Sequence, residues 1–126
     1  MKQQISYQLV DTAGEISAIG TSPIREDTLA AAAVQIMATD KRIEQVGFID
    51  GYDTSTPSRF RMMGGELSVN GFLAGACLLM KQRRQTKIKL QNCVINTSVL
   101  ATLGQNSATI ELPWSIVQTI NDNVVT

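Results

Sequence analysis

The stretch Asn70–Gln82, NGFLAGACLLMKQ, decides how the chain folds. Phe72, Leu73, Ala74, Ala76, Cys77, Leu78, Leu79 and Met80 leave no polar face at helical spacing, so the segment reads as a helix that is apolar all the way round. In a globular chain such a helix must be enclosed, and the expectation is a central helix wrapped by β-sheet. Gly71 and Gly75 thin its first turns and let neighbouring backbone come close, at some cost in helix propensity. Ser68, two residues upstream, is a good N-cap for the free amides of Asn70 or Gly71.

The elements that would wrap it lie on both sides. Upstream, Gln4–Val10 and Glu15–Gly20 read as a hairpin turned by Asp11–Gly14, with Ile5, Tyr7 and Leu9 on one face. Pro23 breaks the pattern. Asp27 or Thr28 then caps a helix to about Thr39, whose Leu29, Ala33, Ile36 and Met37 share a face that should pack on the sheet. Val46–Ile49 and Phe60–Met63 read as strands joined by the turn-rich Gly51–Ser58, the segment expected to move most. Downstream of the basic turn Lys81–Arg84, Lys87–Leu90 opens a run of strands that continues through Ser98–Leu103, a turn at Gly104–Ser107, Ala108–Leu112 and a last short strand at Ser115–Ile120. The fold expected is α+β: one domain spanning residues 1–126, a mixed sheet rolled around the apolar helix, with the second helix packed outside.

Composition removes several kinds of chemistry. The 126 residues contain no histidine, which excludes Ser/His/Asp and Cys/His arrangements and imidazole metal ligands. Two cysteines, Cys77 and Cys93, are too few for a disulfide framework or a thiolate zinc site; they read as buried apolar thiols in a reducing compartment, and no metal is expected. The longest apolar run, Phe72–Met80, is too short to cross a bilayer, and the first ten residues carry no secretory pattern, so a cytoplasmic protein is expected. Eleven basic and eleven acidic residues cancel in sum. They are segregated along the chain, with eight acids against four bases up to Pro57 and seven bases against Glu66 between Ser58 and Asn92. Only six aromatic residues occur and none interleaves with the bases, so direct nucleic-acid binding through the Arg59–Lys89 set is the weakest reading. Trp114, beside Pro113, reads as a core or dimer-contact residue.

Three segments in this order resemble the N-terminal half of the diaminopimelate epimerase family, most closely its histidine racemase branch. They are TAGEIS (residues 12–17), EQVGFID (44–50) and FRMMGGELSVNGFLAGACLL (60–79), the last standing where the family has a Gly-x-Glu-x-Cys-Gly-Asn stretch opening its enclosed helix. IELPW (110–114) looks like the Val-x-Met-Pro stretch that closes that half. The likeness implies a diaminopimelate-epimerase-like domain and, in the family, cofactor-independent racemisation of an amino-acid α-carbon by one cysteine from each of two halves.

The departures bear on function. Ser68 stands where the resemblance places the catalytic cysteine, Val69 replaces the glycine after it, and only Asn70 is retained. A serine hydroxyl is on the order of five pK units less acidic than a thiol, and no histidine is present to activate it. Cys77 lies nine residues further on, on the opposite helix face and roughly 13 Å along the axis, and cannot substitute. Glu15 stands where the family has a substrate-binding asparagine, and its carboxylate would repel that of an amino acid. The expectation is a binding protein on an emptied enzyme fold, with no catalytic residue and no cofactor.

In size and fold the chain looks like the anti-CRISPR proteins, among which a diaminopimelate-epimerase-like fold is represented. That resemblance implies a partner in a type I CRISPR interference (Cascade) complex inside the host bacterial cell. DNA recognition would be blocked by acidic side chains that mimic phosphates, and Asp11, Glu15, Glu44, Asp50 and Asp53, in or near the turns and strand ends of the acidic first half, are the candidates. The free chain would be a monomer or a homodimer. The alternative is a half-size epimerase subunit acting as a dimer, in which two copies would supply Ser68 twice and a cysteine not at all.

Overall fold

A computed structural model of the chain describes residues 5–52, 58–65, 68–94, 97–105 and 107–111. Among these residues seven strands and two helices follow one another as β1 (Tyr7–Thr12), β2 (Glu15–Gly20), α1 (Leu29–Thr39), β3 (Gln45–Asp50), β4 (Ser58–Met62), α2 (Val69–Arg83), β5 (Lys87–Asn92), β6 (Thr97–Leu103) and β7 (Ala108–Glu111), with a 3-10 turn at Glu26–Thr28 leading into α1. The strands lie side by side in chain order. β2/β3 and β4/β5 pair parallel, and every other neighbouring pair is antiparallel.

Each parallel pair is bridged by a helix, and the strand directions settle which side each helix takes. β2 and β3 run one way and β4 and β5 the other, while both crossovers step the same way across the sheet. Two right-handed crossovers of that kind must put their helices on opposite faces. Side-chain alternation along the strands agrees: Ile19 and Ile49 pack with α2, whereas Ala18, Val46 and Phe48 pack with α1. α2 touches all seven strands. A flat sheet of that width, close to 30 Å at about 4.8 Å per strand, would not reach around one helix, so the sheet curls into a half-barrel with α2 on its concave side.

Close packing at α2 depends on two glycines that meet the same ring. A Cβ on Gly75 would fall 2.8 Å from Phe60 Cδ2, and one on Gly47 of β3 would fall 2.4 Å from Phe60 Cζ. Phe60 also meets Phe72 edge to face, with ring centroids 5.6 Å apart. Gly75 thus admits a side chain from β4, where the sequence suggested close approach of backbone. The Ser68 cap is present: its Oγ accepts from the Gly71 amide at 3.0 Å, with Ser68 itself extended at φ −123° and ψ 117°. At the other end Arg84 takes a left-handed conformation, φ 54°, and the Gln85 amide donates to Met80 O at 2.9 Å.

Several local expectations are corrected. β1 begins at Tyr7 and runs to Thr12, so the hairpin turn is the two residues Ala13 and Gly14 rather than four. Both have positive φ, 54° and 94°, which matches the strands' twist, and Asp11 Oδ1 accepts from the Gly14 amide at 2.8 Å. Leu9 shares a face with Tyr7, as expected, and is exposed there. Thr28 is the N-cap residue of α1, as expected, but its side chain makes no capping hydrogen bond: the 3-10 turn leads in, and Thr28 Oγ1 donates to Arg25 O. α2 is not wholly enclosed by the described residues, since Leu73, Cys77 and Leu78 are only half-buried, and Cys93 is half-buried as well. Most of the Gly51–Ser58 loop, the strand expected at Ser115–Ile120 and Trp114 lie outside the described residues. No helix among the described residues is long and apolar enough to cross a membrane.

Candidate functional site

The first turn of α2 faces the start of the β2/β3 pair, and five side chains join there. Ser68 Oγ, already accepting from Gly71, donates to Gln45 Oε1 at 3.0 Å. The Gln45 amide donates in turn to Glu15 Oε1 and to Ser17 Oγ, the latter at 2.9 Å. Asn70 Nδ2 reaches the other Glu15 oxygen at 3.4 Å. The parallel register sets Ser17 directly against Gln45, and alternation along β2 puts Glu15 on the same concave side as the fully buried Ser17. Thr12, cross-strand from Glu15, keeps a buried Oγ1 that has no hydrogen-bond partner among the described residues.

This arrangement holds the chain together more readily than it moves a proton. The Ser68 hydroxyl hydrogen goes to an amide carbonyl, which is no base, and the carboxylate of Glu15 is one residue removed behind Gln45. Both Glu15 oxygens take amide donors, close to the positive end of a fifteen-residue helix. Cys77 lies away from this cluster. It borders a cavity of about 560 Å³ between the β1 end of the hairpin and the β6/β7 turn, with Val10, Leu73, Lys81, Leu103 and Ala108.

The candidate acids separate into two places. Asp11, Glu15 and Glu44 gather at one end of the sheet: Glu44 Oε2 accepts from the Ile16 amide at 3.1 Å, and the Glu44 amide donates to Ile16 O at 2.9 Å. Asp50 closes the other end of β3, about 17 Å away along a strand. It is paired there with Arg61, whose Nη2 lies 2.8 Å from Asp50 Oδ1 and also donates to Ile24 O at 2.9 Å. Asp53 lies outside the described residues.

Elsewhere, hydrogen bonding to the Arg42 guanidinium holds the Asp40 carboxyl down from 3.8 to about 2, and Arg25 lowers Asp27 in the same way. No group of three or more His, Cys, Asp or Glu side chains among the described residues is placed to hold a metal ion.

Gln45 and Ser17 escaped the sequence reading. Neither carries a local signal, because their partnership with Glu15 and Ser68 exists only once β2 and β3 pair in register. Comparison of the chain with protein-family models and with curated proteins returns no match.

Proposed function

We propose that the chain is a non-enzymatic binding protein on an emptied diaminopimelate-epimerase-like half-domain, and that it acts as an anti-CRISPR protein against a type I interference complex. The observation that carries the first part is the state of Ser68. The residue in the place of the acid–base thiol is spent on capping α2 and on Gln45, and Glu15, in the place of a substrate-binding asparagine, is held by Gln45 and Asn70. The curled mixed sheet around a central helix supports the fold assignment. A site filled by its own side chains leaves little room for an amino-acid substrate.

The surface proposed for the partner is the hairpin end bearing Asp11 and Glu44, with Glu15 behind them. Both are exposed, and neither has an ion-pair partner among the described residues. Two carboxylates presented this way compete with phosphates for the arginines and lysines that hold DNA. Asp50, neutralised by Arg61 at the far end of β3, contributes little.

The test is binding of the purified chain to type I interference complexes in competition with target duplex. Asp11→Lys with Glu44→Lys should abolish competition, and Asp50→Asn should leave it intact. Deuterium wash-in at Cα, assayed across the amino acids with the isolated chain, should be absent; wash-in for any of them would restore the epimerase reading.

A further inference from the structure

α1, LAAAAVQIMAT, contains no charged residue, yet half of it faces outward. Leu29, Ala32, Ala33 and Ile36 are buried against the sheet, while Ala30, Ala31, Val34, Gln35 and Ala38 are exposed. Val34, at the middle of the helix, is 70% exposed, the most of any large hydrophobic residue among those described. A solvated helix face ordinarily carries charge, and this one carries it only beyond its two ends. Glu26 and Asp27 lie before the helix, Lys41 and Arg42 lie after it, and all four are exposed.

These positions are symmetric about Val34. Ala30 and Ala38 are each four residues from it, Asp27 and Lys41 seven, and Glu26 and Arg42 eight. A two-fold axis that brings two copies of a helix together antiparallel requires that pattern, because residue i of one copy then meets j of the other and j meets i. We infer that α1 pairs with α1 of a second copy of this chain, antiparallel, with the axis at Val34.

Alanine meets alanine on either side of the axis, which lets the helices approach to about 8 Å. Each acidic end then faces a basic end, and the helix dipoles oppose favourably. Asp27 and Arg42 already have partners in their own chain, Arg25 and Asp40, so across the axis these pairs would join into four-membered charge clusters. The contact is one helix face about 16 Å long, small against the roughly 1,600 Å² of a standard interface, so the dimer is weak. This pairing does not depend on the anti-CRISPR reading.

Sedimentation velocity from a few micromolar to about 1 mM should show self-association with a dissociation constant on the order of 100 µM. Val34→Asp should make the chain monomeric throughout, with an unchanged circular dichroism spectrum because the position is exposed. Glu26→Lys with Asp27→Lys should weaken association at least tenfold, and adding Lys41→Glu with Arg42→Glu should restore it. In a background with Cys77→Ser and Cys93→Ser, Val34→Cys should oxidise to a covalent dimer, whereas Gln35→Cys, turned about 100° round the helix, should not. A wild-type chain monomeric at every concentration would overturn the inference. So would association that survives Val34→Asp, as would cross-linking that is equal at positions 34 and 35. Capture of another protein by a folded α1 face that never self-associates would overturn it too.

Discussion

The two faces of the sheet are packed by unlike helices. On the concave side α2 is pressed against large side chains, with Phe60 filling the space that Gly47 and Gly75 leave open. On the convex side α1 covers its strands with alanines and a few aliphatics, and turns the rest of its surface to solvent. The concave face therefore holds the fold together. The convex face and the hairpin end remain available for partners.

That contrast is open to attack first at Phe60. Phe60→Ala should cost about 3–5 kcal/mol, since it empties a site enclosed by two glycines and the Phe72 ring. Ile36→Ala on the α1 side should cost about 2–3 kcal/mol, towards the lower end for a buried aliphatic residue. Urea unfolding of both variants measures the difference, and equal losses would remove the distinction between the faces.

Gly75→Ala separates the two faces by the sign of its effect. In an open helix the change would stabilise by about 1 kcal/mol, but a Cβ placed 2.8 Å from the Phe60 ring should make it destabilising. Ser68→Ala should cost about 1–2 kcal/mol, as both the helix cap and a partner of Gln45 are lost.

The smallest effect concerns acid. Asp40 and Asp27 have carboxyls lowered by their arginines, so their stabilisation is present above 3.8 and is lost as pH falls, through about 2 in the case of Asp40. Arg25, Asp27 and Arg42 are solvent-exposed and Asp40 is half-buried, so both pairs are well screened, and Asp40→Asn should reduce the acid sensitivity only slightly in pH-dependent urea titrations.

What could be read in advance was local. The apolar span of α2 and the Ser68 cap are written in consecutive residues, and both are present. The β1 boundary was not legible, because nothing marks Ala13 as a residue that will adopt positive φ. The grouping of Asp11, Glu15 and Glu44, and the neutralisation of Asp50 by Arg61, depend on strand registers that single segments do not encode. Gln45, the centre of the polar cluster, is invisible for the same reason.

The proposed action of the hairpin end is to block a type I interference complex. Phage plaquing on hosts carrying active type I systems of several subtypes tests it most directly, with the wild-type chain, the Asp11→Lys/Glu44→Lys variant and Asp50→Asn each expressed. Restored plaquing in one subtype is expected with the wild type and Asp50→Asn and not with the double variant. Absence of rescue in every subtype, or rescue indifferent to the double charge reversal, would contradict it.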